Sequence, residues 1–93
     1  MAAGSPSIWP YDPDTLISDM IDDQADEGGP QAARLKESGL PVWAVVGHWK
    51  ATGQDAASTA NDFDVGGIEI EAALAYYARH SKDIDSRLAA NAA

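Results

Sequence analysis

The chain contains no cysteine, which removes disulfides, thiol chemistry and thiolate metal sites together. It also lacks any apolar run near 18 residues, and no basic stretch precedes an apolar one at the start. Neither a membrane span nor a secretion signal is therefore expected, and the protein reads as soluble and cytoplasmic. Positive charge is scarce. Six Lys and Arg face fifteen Asp and Glu, for a formal net charge of -9, and no cation precedes Arg34. The early part instead carries Asp12, Asp14, Asp19, Asp22, Asp23, Asp26 and Glu27. Phosphate binding needs positive charge, so this part suits a basic partner, or simply solubility, rather than nucleic acid. Large side chains are few as well: three Trp, three Tyr, one Phe and two Met. Much of the 45% hydrophobic content is Ala. At 93 residues the chain is one domain at most. A thin core in so short a chain suggests stability gained by pairing, and a homodimer is expected.

Residues 1–7 are small and polar. Ile8, Trp9, Pro10 and Tyr11 follow, with proline stiffening a short segment whose aromatics carry contact area. That segment lies either on the domain's own core or on a partner. Asp12-Pro13 is a helix start, with an N-cap acid followed by proline at the first helical position. Leu16, Ile17, Met20 and Ile21 form one apolar stripe, predicting a helix over residues 13–23, with a short strand over 16–20 as the alternative. Gly28-Gly29-Pro30 interrupts the chain. Residues 31–38 have helix-forming composition, enough for two turns before Gly39. Residues 1–30 thus read as an acidic arm with a short helix, and 31–93 as a helical domain. Trp9, Tyr11, Leu16, Ile17, Met20 and Ile21 are the candidates for partner contact.

The organising stretch is 40–77, which has the rhythm of a helix-turn-helix. Val42, Val45, Val46 and Trp49 mark one face of a helix over 41–52, with Trp43 off that face and Gly53 as a C-cap candidate. Asp55 caps a short second helix whose expected inner face is Ala56, Ala57, Ala60 and Phe63, Phe63 being the anchor. After the break at 64–67, Ile70, Leu74, Tyr77, Ile84 and Leu88 recur at heptad-like spacing. One long helix over 68–90 is favoured, its seam covering either the core or a dimer axis. Ser81 capping a separate last helix over 82–90 is the alternative. The fold class is all-α: a three-helix core, a long C-terminal helix and an acidic arm.

Chemistry-bearing patterns are sparse. His48 and His80 lack partners at metal-ligand spacing, and no nucleophile motif, phosphate-cradling glycine loop or zinc-protease motif occurs. The acids at 22, 23, 26 and 27 do not follow calcium-loop spacing. No catalytic residue, metal or cofactor is assigned. Lys50, Arg79, Lys82 and Arg87 are the candidates for DNA contact, with Arg34 and Lys36 in reserve. For Arg79, Lys82 and Arg87 the alternative role is pairing with Asp83 and Asp85.

The run Gly39-Leu40-Pro41-Val42-Trp43-Ala44-Val45-Val46 is followed by Gly53 and then by Asp62-Phe63-Asp64. Together with Ile70-Glu71-Ala72-Ala73-Leu74-Ala75-Tyr76-Tyr77, these stretches resemble the family named domain of unknown function 433. The tail Ile84-Asp85-Ser86-Arg87-Leu88-Ala89-Ala90-Asn91 resembles the end of a subgroup, so the likeness spans residues 32–91. It implies a homeodomain-like fold and an antitoxin, usually dimeric, that holds a PIN-like ribonuclease toxin inactive and binds its own operator DNA. Asp64-Val65-Gly66-Gly67 departs from the family's usual helix-capping turn. Glu69 and Glu71 fall in the first turn of the third helix, the end a helix-turn-helix presents to the major groove, where acids repel phosphate.

Overall fold

A computed structural model describes residues 12–23 and 28–92. Trp9, Tyr11, Asp26 and Glu27 lie outside the described residues. Helix α1 (Pro13–Met20) begins as its sequence dictates, the Asp12 carboxylate accepting a hydrogen bond from the Thr15 N–H at 2.7 Å. It ends three residues before the expected boundary. Ile21 turns extended, and β1 (Ile21–Asp22) pairs antiparallel with β2 (Arg34–Leu35), Ile21 opposite Leu35. Lys36 makes this termination favourable. Its N–H donates to the Met20 carbonyl at 2.8 Å and its ammonium to the Ser18 carbonyl at 2.9 Å. Two carbonyls left open at the helix end are thereby satisfied.

The two helical turns expected over 31–38 do not form. A 3-10 turn (Gly29–Ala32) leads into β2, and a tight turn closes with Gly39 N–H on the Leu35 carbonyl at 2.9 Å. Gly39 sits at φ 77°, a left-handed conformation that suits glycine. Ala33 and Leu35 are both buried while Arg34 between them is exposed. That is a two-residue period, which only extended chain supplies.

Helix α2 (Val42–Ala51) buries Val42, Val45 and Val46 completely and leaves Trp43 and Trp49 half-buried. It closes through Gly53, with the Gln54 N–H returning to the Trp49 carbonyl at 2.8 Å, a Schellman-type ending. Helix α3 (Ala56–Phe63) is capped by the Asp55 carboxylate on the Ser58 N–H at 3.1 Å. Its inner face differs from expectation. Thr59 and Ala60 are buried, Ala57 is exposed, and Phe63 is only half-buried. Burial of Thr59 is cheap because its hydroxyl donates to the Asp55 carbonyl at 2.8 Å, leaving the methyl for the core.

Helix α4 (Gly67–Arg79) is the central element, packing on α1, α2 and α3. Ile70, Ala72, Ala73 and Tyr76 form its buried face. The long C-terminal helix is not observed. The chain breaks at His80 (φ -128°, ψ 37°), and α5 (Ser81–Ala92) restarts with the Ile84 N–H on the His80 carbonyl at 3.0 Å. The reason is burial. A straight continuation would carry Ile84 past the end of a three-helix core. The bend instead folds α5 onto α2 and takes Ile84 to zero exposure. Gly47 permits this close approach, since a Cβ there would meet Leu88 Cδ2 at 2.8 Å. Among the described residues the architecture is five helices with one two-stranded sheet, and no helix is long and apolar enough to cross a membrane.

Candidate functional site

Helices α1 and α4 run antiparallel. Asp14 and Arg79 form an ion pair near one end of the contact, and Leu16, Asp19, Met20 and Ile68 line a groove of about 120 Å³ near the other. Small-molecule and cofactor sites usually exceed roughly 300 Å³, so the space suits one apolar side chain. Met20 and Ile68 are half-buried, as is neighbouring Ile17. Asp19 stands exposed beside the groove. Glu71 lies three residues beyond Ile68 and so on the same side of α4. Partial burial holds the Glu71 carboxyl above the usual carboxylate range.

Of the residues read as partner contacts, Leu16 and Ile21 belong to the core, at 7% and 4% exposure. Ile21 is therefore not free to meet another chain, Leu16 reaches the surface only as lining of the groove, and Ile17 and Met20 remain at the edge. The proposed seam is cut by the break at His80. Ile70 and Ile84 are wholly internal, while Leu74, Tyr77 and Leu88 are half-buried against the same core. It packs within the chain, since the break leaves no continuous heptad stripe to face a partner.

Three of the four cations read as DNA contacts, Lys50, Arg79 and Arg87, are engaged within the chain. The Lys50 ammonium sits 3.0 Å from Asp85 Oδ1 and 4.9 Å from the Tyr77 ring centre, joining α2 to α5 and α4. Tyr77 donates its hydroxyl to the same Asp85 oxygen at 2.8 Å. Tyr77 and Asp85 together hold the Lys50 ammonium above its ordinary pKa, and Lys50 and Tyr77 hold the Asp85 carboxyl below its own. Arg79 is taken by Asp14, and Arg87 stacks over the Trp43 ring at 4.8 Å with its Nε buried and unbonded. Arg34 and Lys36 donate to the carbonyls of Gly39 and Ser18. Among the described residues, Lys82 is the one cation with neither a bond nor a ring contact, and it is exposed. Asp85 does pair, as the alternative held, but with Lys50 from α2.

Glu69 also differs from expectation. It turns into the core at 5% exposure, with Oε1 lacking any hydrogen bond. It cannot stand at the front of a DNA-reading helix. Two contacts had no local signal in the sequence. His48 Nε2 meets Asp62 at 2.7 Å, and its ring lies edge-on to Phe63 at 5.1 Å, tying α2 to α3. The Tyr76 hydroxyl donates to Asp23 at 3.2 Å across 53 residues of chain. Among the described residues no three His, Asp or Glu side chains converge as a metal ion would need. No known family description matches this chain, and no curated protein or solved structure is detectably similar to it.

Proposed function

We propose that this chain is a non-enzymatic, cytoplasmic interaction protein, the antitoxin of a toxin–antitoxin pair, built on a homeodomain-like three-helix core and neutralising a PIN-like ribonuclease. The family resemblance of residues 32–91 supplies the specific partner. The observation that carries the interaction class is the internal commitment of positive charge: Lys50, Arg79, Arg34 and Lys36 are bonded within the chain and Arg87 is stacked on Trp43. An exterior with so little uncommitted positive charge attracts a basic surface and repels a phosphate backbone. A nuclease that grips RNA through cations presents such a basic surface. Homodimerisation belongs to the same proposal, and with it weak operator binding, since pairing two chains doubles the cations that face DNA, Lys82 being the uncommitted one among the described residues.

Co-purification with the product of the adjacent gene, followed by an RNA-cleavage assay, tests this. A stoichiometric complex with suppressed cleavage is the expected result. No complex, together with a shift of upstream DNA by this chain alone at physiological salt, would instead establish a stand-alone DNA-binding regulator.

A further inference from the structure

We propose that the groove between the C-terminal end of α1 and the N-terminal end of α4 docks a basic segment of a protein partner. One apolar side chain of that segment enters between Leu16, Met20 and Ile68, and its Lys or Arg neighbours meet Asp19 and Glu71. This rests on the chain being a partner-binding protein and names where and with what chemistry it binds.

Four observations converge. The groove has room for a single side chain, the scale of an anchor in a protein interface. Its apolar lining is half-buried at Met20 and Ile68, so covering it removes apolar area from water. The Lys36 ammonium nearby is held by the Ser18 carbonyl, whereas Asp19 lines the groove and Glu71, one turn beyond Ile68 on α4, already sits where burial disfavours its charge. A cation placed beside it relieves that cost. Finally, α1 already packs on α4, with the Asp14–Arg79 ion pair joining them away from the groove, so its walls are in place before binding. Charge also selects the occupant. A second copy of this chain would bring another net charge of -9 to an acidic rim, whereas a basic segment is attracted to it.

The test uses the full chain and the purified product of the adjacent gene, with association and dissociation rates measured for wild type and variants. Asp19→Lys and Glu71→Lys are surface reversals, and Glu37→Lys is an equal charge change at an exposed turn residue that does not line the groove. Met20→Ala shortens the lining. Asp19→Lys and Glu71→Lys are expected to slow association about tenfold, and Met20→Ala to speed dissociation by a similar factor, with Glu37→Lys close to wild type and all circular dichroism spectra unchanged. Wild-type binding with all four variants alike would overturn the groove assignment and leave the antitoxin proposal standing. So would binding abolished by Trp9→Ala while Met20→Ala and Asp19→Lys are inert. A dimer of this chain that Met20→Ala or Asp19→Lys dissociates would make a second copy the occupant and also overturn it. Failure of the wild type to bind overturns the antitoxin proposal and the docking together.

Discussion

Glu69 sits in a costly position from which its carboxyl gains nothing. Its side chain is buried in the face that α4 presents to the core, and Oε1 accepts nothing. An unsatisfied buried polar atom costs roughly 1–3 kcal/mol. Glu69→Met keeps the length and removes the oxygens, and is expected to stabilise the fold by about that amount in urea unfolding. A loss of stability would mean that the carboxylate finds a partner in solution. Tyr76 is the opposite case. It is 1% exposed, its hydroxyl is used by Asp23, and burial together with that carboxylate pushes its ionisation far above the ordinary tyrosine value. It therefore remains a donor wherever the protein is folded. Tyr76→Phe should cost about 1.5–3 kcal/mol, the worth of a hydrogen bond to a charged group, read in the same unfolding experiment.

Among the elements, α5 is held by contacts spread along its length. Ile84 fills the core, Leu88 lies against Gly47, Arg87 covers Trp43, and Asp85 gathers Lys50 and Tyr77. Its own helical pattern contributes little, because Ile84 is its one fully buried side chain among the described residues. Ile84→Ala should therefore cost about 2–5 kcal/mol, as large-to-small core changes do. Amide exchange should quicken along α5 before it quickens in α2. Uniform acceleration across both helices would show instead that α5 and the core open as one unit.

For the whole molecule, stability should pass through a maximum on the acid side of neutral. Asp12 and Asp55 are held below the usual carboxylate range by the N–H groups they cap, and Asp85 by Lys50 and Tyr77. Their folded values lie below their unfolded ones. The stability they contribute is complete above the unfolded value of about 4 and is lost as pH falls through the folded values. Glu71 runs the other way. Burial raises its folded value, so stability increases as pH drops through that value toward the unfolded one, near 4.3. Relief of self-repulsion at a net charge of -9 adds to that increase. Thermal midpoints should rise as pH falls from 7 into the range where Glu71 takes up its proton, and fall below about 4 as the capping carboxylates are lost. Glu71→Gln should flatten the rise and leave the fall in place. An unchanged rise in that variant would assign the increase to net charge alone.

The sequence by its own local chemistry determined where helices begin and where turns close. Asp12-Pro13, Asp55 and Gly53 act within a few residues of themselves, through caps and left-handed backbone, and each is found where expected. The stripe Val42, Val45 and Val46 likewise needed only helical periodicity. The groove was legible in part, since Leu16 and Met20 belonged to the apolar stripe read as partner contacts, whereas Ile68 and Asp19 join it only when α4 lies against α1. Where helices stop, and which way side chains face, was decided by contacts between residues distant in the chain. Lys36 ends α1 by taking its carbonyls, the need to bury Ala33 and Leu35 on one side overrides helix-forming composition, and the bend at His80 exists because Ile84 is buried only once α5 turns onto α2. Local propensity is worth tenths of a kcal/mol per residue, and full burial of an Ile or Leu side chain roughly 1.5–3 kcal/mol. Tertiary packing therefore outweighs propensity at each of these positions.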